Sequence, residues 1–79
     1  MKSKRSAWRK INSSNLAEAH YREKNSTMTI RFHNGDIYEY QDVPKDVFLE
    51  LVDKTLESPG RFFTEKIRSN PIYKVTKVN

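Results

Sequence analysis

The chain contains no cysteine, so neither a disulfide nor a thiolate metal site can reinforce its core. Its apolar residues never gather into a run of 18, which excludes a membrane-spanning helix and sets membranes aside as partners. The basic start is followed by no hydrophobic stretch, so a secretory signal is not expected and a cytoplasmic location is. Glycine is scarce: the two present, Gly35 and Gly60, both stand at turns, leaving no glycine-rich loop to cradle phosphates. Acids are missing from the first ten residues, where Lys2, Lys4, Arg5, Arg9 and Lys10 stand unopposed. The remaining ten basic groups balance ten acids, so the net charge of +5 belongs to the N-terminal segment. Attraction to nucleic acid would have to run through that segment.

What is present is organised around residues 28–43. From Thr27 to Phe32 polar and apolar residues alternate strictly, the period of a half-buried strand. Asn34-Gly35 then signals a hairpin. A two-residue loop would pair Phe32 with Ile37 and turn Tyr38 and Tyr40 away from Met28, Ile30 and Phe32. A three-residue loop, His33-Asn34-Gly35 with Gly35 left-handed in a bulge, pairs Ile30 with Tyr38 and Met28 with Tyr40. A slip of one residue inverts every side chain, so the two registers exclude each other. The bulged register is preferred because it collects five large side chains on one face. It leaves Thr27, Thr29, Arg31, Glu39 and Gln41 on the other.

The 79 residues suffice for one small domain, hiding roughly 60% of the chain's surface on folding. Residues 1–12 lack periodicity and read as a flexible basic arm, with the domain over 13–79. Within the arm, Trp8 among cations suits stacking on an unpaired base; the alternative is that it docks on the domain's own surface. Residues 16–21 read as a first strand with Ala17, Ala19 and Tyr21 on one side, and residues 23–26 as a turn. Asp42 and Pro44 open a helix whose apolar stripe is Val47, Phe48, Leu51, Val52 and Leu56. Ser58-Pro59-Gly60 ends it and starts a second helix, with Ser58 as cap, Phe63 and Ile67 on one face, and Asn70-Pro71 as the stop. Residues 72–78 suit a short edge strand or an extended tail.

Several runs together resemble the KTSC domain. They are Ser13-Ser14-Asn15, Phe32-His33-Asn34-Gly35, Tyr38-Glu39-Tyr40, Val43-Pro44, Ser58-Pro59-Gly60-Arg61-Phe62-Phe63, Ile67-Arg68 and Tyr73. That family is named for the C-terminus of some lysyl-tRNA synthetases and also occurs as stand-alone bacterial and phage proteins. The resemblance covers roughly residues 13–75; the family has no established function, and its attachment to a synthetase suggests an RNA-binding role. The basic arm lies outside it, and Thr64 stands where relatives often carry Asn.

Chemistry of the usual kinds finds little support. His20 and His33 fall in separate segments with no metal-ligand spacing, so no metal is expected. Ser13 and Ser14 lack a nearby base and orienting group, and suit backbone bonding at the start of a strand. No enzymatic activity and no cofactor are expected. Tyr38 and Tyr40 are core in the bulged register, and an exposed base-stacking platform in the other. Arg61 and Arg68, seven apart on the second helix and hence on one face, could bind phosphates with Arg31; the alternative is a solvated face balanced by Glu57 and Glu65. Gly60 suits either an approaching phosphate or close packing.

The sequence therefore leads to an α+β domain: a meander of about three antiparallel strands, two C-terminal helices on one face, and a possible short final strand. Gly35, Tyr38, Tyr40, Pro44, Gly60 and Phe63 are its expected structural positions. The expected function is a non-enzymatic binding module for RNA or other nucleic acid, through Lys4, Arg5, Trp8, Arg9, Lys10, Arg31, Arg61 and Arg68. The alternative is a protein-interaction module, such as a phage-borne or accessory inhibitor, using an edge strand or the exposed sheet face. Monomer and homodimer are both open, since so small a core gains from sharing.

Overall fold

The computed structural model describes residues 8–79. Five strands form one antiparallel sheet in chain order: β1 (Arg9–Lys10), β2 (Leu16–Arg22), β3 (Thr27–Phe32), β4 (Ile37–Tyr40) and β5 (Val75–Lys77). Between β4 and β5 lie α1 (Lys45–Leu51) and α2 (Pro59–Phe62), the latter running on into a π-helical segment, Phe63–Arg68. The class is the α+β class expected, with five strands in place of about three.

The central hairpin takes the bulged register. Ile30 pairs with Tyr38 and Met28 with Tyr40. The Phe32 amide donates to Asp36 O at 2.9 Å and the Gly35 amide to Phe32 O at 3.0 Å. Gly35 has φ +97°, a left-handed conformation that a side chain would strain. Met28, Ile30 and Tyr40 are accordingly buried. Tyr40 and Phe32 each meet Phe63 edge-on, with centroids 5.6 and 5.7 Å apart. Tyr21 stacks on Phe48 at 5.2 Å and donates its hydroxyl to Val43 O at 2.6 Å. Thus both helices cover one face of the sheet, with Phe48, Leu51, Phe63 and Ile67 buried there.

Four details depart from the sequence expectation. A flexible arm is expected through residue 12, yet Arg9 and Lys10 pair with Ala19 and Glu18, and Ile11 enters the core. One apolar residue, Ile11, anchors that edge. In β2, a bulge between Leu16 and Glu18 shifts the alternation, so Leu16 and Ala19 are buried while Ala17 is only half-buried. Thr27, expected on the exposed face, is 8% exposed, next to the backbone bond from Val43 N to Ser26 O. α1 stops at Leu51, and the Asp53 side chain then accepts the Thr55 amide and hydroxyl in a turn, leaving Leu56 beyond the helix. Pro44 is the α1 cap residue, and its carbonyl accepts the Val47 and Phe48 amides.

Candidate functional site

Two surfaces carry the residues of interest. The first is the open side of the sheet, opposite the helices. Pairing of Arg9 with Ala19 sets Trp8 across from His20, and the two rings lie 5.4 Å apart at 41°. His20 pairs in turn with Thr29, and Thr29 with Glu39, so this row crosses the sheet away from the core. One row along, Arg31 reaches back to Glu18, with Nε donating to Oε2 at 2.9 Å and Nη2 to the same oxygen. The Arg31 charge is therefore already partnered.

The second surface is a groove of about 400 Å³ at the end of the sheet, lined by Ser14, Asn15, Leu16, Phe32, His33, Asn34, Gly60, Phe63, Thr64 and Arg68. Three segments meet around it. The Ser13 hydroxyl accepts the amides of Asn15 and Leu16 at 3.2 and 3.3 Å, folding the 13–16 turn. The hairpin loop ties to that turn twice: His33 N donates to Asn15 O at 3.0 Å, and His33 Nε2 lies 2.9 Å from Ser13 O. That bond makes Nε2 the protonated nitrogen, because the carbonyl only accepts. The helix closes the third side. A Cβ on Gly60 would stand 3.2 Å from Ser13 Oγ, so the glycine is there for close approach.

The π-helical segment decides which cation faces this groove. The Ser69 amide bonds to Thr64 O, an i to i−5 link, at 3.2 Å. Such winding brings residues five apart into near register, so Arg68 falls over Phe63 and both line the groove. Arg61 instead bonds Glu65 at 3.1 Å beside a neighbouring depression lined also by Glu57. The sequence spacing puts Arg61 and Arg68 on one face; the wider helix separates them. Arg68 also acts on Tyr40. Burial pushes the Tyr40 hydroxyl above its ordinary range, and the nearby guanidinium partly offsets this.

Of the other positions read from the sequence, Arg9 and Lys10 are exposed on the border strand β1. Lys4 and Arg5 lie outside the described residues. Tyr38 is half-buried and meets Phe32 edge-on at 5.7 Å, so neither tyrosine forms a platform on the open face. Sequence reasoning does not single out His20 as the ring beside Trp8, nor Asn15, His33 and Asn34 as companions of Arg68. For Asn15, His33 and Asn34 the signal lies in the short family-like runs themselves, since four of those runs border one groove; His20 stands in none of them. Among the described residues no three His, Cys, Asp or Glu side chains gather as a metal site would require. No helix among them is long and apolar enough to cross a membrane.

The family model of the KTSC domain matches residues 12–73. A crystal structure of a KTSC domain protein from Yersinia pestis superposes with a TM-score of 0.78 at 25% identity, covering 91% of this chain and 96% of that one. Among curated proteins nothing matches.

Proposed function

From the premise that this chain belongs to the KTSC domain family, we propose that it is a non-enzymatic module that associates with single-stranded RNA. The observation that supports this reading is the juxtaposition at β1. The ten-residue segment that holds the whole net charge includes Trp8, and Trp8 stands beside His20 on the uncovered side of the sheet. An unpaired strand is held by cations along its backbone and by flat side chains under its bases, which is the pairing of groups found here. The folded body adds no net charge of its own, because residues 11–79 hold ten basic and ten acidic groups. The Yersinia pestis relative supports the fold of this module and says nothing further of a ligand.

Trp8 is the only tryptophan, so its emission reports directly on this surface. Titration with a single-stranded RNA oligomer is expected to quench it. Removing residues 1–7, a cut that spares β1, is expected to lower the log–log salt slope by about 0.7 for each phosphate that the shortened chain no longer neutralises. If emission and slope both stay unchanged, the reading fails. A protein partner recovered from lysate after nuclease treatment, with no oligomer binding, would favour a protein-interaction module instead.

A further inference from the structure

The groove beside Arg68 is a separate surface from the Trp8 side of the sheet, and its chemistry is one-sided. Among the described residues Arg68 is the only charged one lining it, and no carboxylate of theirs does. Four other cations of the body are paired with acids, whereas among the described residues Arg68 has neither an ion pair nor a hydrogen bond. Ser14 Oγ and the Asn15 side-chain amide are likewise uncommitted among those residues. By contrast, the Asn34 side chain is bonded to Asp36, Thr64 Oγ1 to Gly60 O, and His33 Nε2 to Ser13 O. The groove thus holds fixed walls and three exposed donors without a protein partner among the described residues. Below them, Phe32 is half-buried and gives a flat apolar edge.

We infer that this groove binds a nucleoside monophosphate group, with its phosphate against Arg68, Ser14 and Asn15 and its base on Phe32. A guanidinium suits two phosphate oxygens at once, and the hydroxyl and amide supply further donors at an angle to it. A volume of about 400 Å³ lies at the small end of ligand pockets, about 300–1,000 Å³, which suits one nucleotide. The winding that brings Arg68 over Phe63 is itself of a kind found often at functional sites. The nucleotide has two sources: a free nucleoside monophosphate, or a terminal phosphorylated nucleotide of a bound strand. The second source rests on the RNA reading above; the first does not.

Nitrogen-15 amide spectra of the full chain, titrated with adenosine monophosphate, adenosine or inorganic phosphate, test this. Adenosine monophosphate is expected to shift the Asn15, Asn34, Gly60 and Thr64 amides at lower concentration than either fragment. Arg68→Gln is expected to weaken it about tenfold or more. Ser14→Asp, which sets a carboxylate at the rim, is expected to abolish it; both positions are exposed, so both variants should fold. Arg68→Lys should recover part of the loss, because it keeps the charge without the fork. Absence of groove shifts at millimolar ligand, equal binding of inorganic phosphate, or binding untouched by Arg68→Gln would each overturn the assignment. An RNA oligomer with and without a 5′-phosphate separates the two sources. Groove shifts with adenosine monophosphate, while the oligomer changes neither Trp8 emission nor the salt slope, would leave the nucleotide site standing and sink the RNA reading. Trp8 quenching by the oligomer with no groove shifts from either the oligomer or adenosine monophosphate would do the reverse.

Discussion

The contact between Gly60 and Ser13 gives a quantitative test of how the groove is built. Gly60 is the second residue of α2, where alanine would favour the helix by up to about 1 kcal/mol. Against that, a Cβ would stand 3.2 Å from Ser13 Oγ, closer than most packed atoms settle, so the hydroxyl would have to give by a few tenths of an ångström. The hydroxyl is not free to give way, since it accepts the Asn15 and Leu16 amides. Displacing it releases two part-exposed donors, at a cost of about 1–2 kcal/mol. Gly60→Ala alone is therefore expected to destabilise the domain by up to about 1 kcal/mol, lowering Tm by about 4–8 °C. In a Ser13→Ala background the obstacle is gone and the same substitution should stabilise by about 0.5–1 kcal/mol. A double-mutant cycle by urea unfolding, followed by circular dichroism, should return a coupling of about 1–2 kcal/mol. A coupling below about 0.5 kcal/mol, the ordinary error of additivity, would refute the close approach and with it the account of why glycine occupies position 60.

Two further outcomes follow from the hairpin and the buried tyrosine. Gly35→Ala meets no atom within 4 Å, so its cost is backbone strain alone, about 1–2 kcal/mol, and Gly35→Asn should recover part of it in thermal melts. Tyr40 holds its proton more tightly folded than unfolded, so its contribution to stability is intact below the ordinary tyrosine value of 10.0 and is lost as pH rises through the folded value. Alkaline unfolding should accordingly be less steep in Tyr40→Phe, and identical profiles for the two proteins would show that Tyr40 is not buried in this way.

Much of this layout is legible because one face must be apolar. Asn34-Gly35 sets the turn, and only the bulged pairing puts Tyr38 and Tyr40 beneath the helices; the register then follows without any tertiary information. β1 is not legible, since Arg9 and Lys10 carry no apolar period and Ile11 alone marks that edge. The bulge in β2 has a faint trace: Leu16 and Ala19 are three apart, which a regular strand cannot place on one face. The π winding has none. Phe63 and Ile67 share a face in either helix type, so only the backbone bonds show where Arg68 points. The groove therefore escapes sequence reading, although nearly every residue around it stands in one of the family-like runs.

The two borders of the sheet have a consequence for how the molecule meets copies of itself. β1 offers two residues and β5 three, and the side chains there include Arg9, Lys10 and Lys77. A strand from another chain would find few amides to grip at β1 and β5 and cations to repel it, while β3 is enclosed by β2 and β4. What the sheet leaves open to a further strand among the described residues is therefore short and bears cations, although Val75 and Val78 stand exposed at the β5 border.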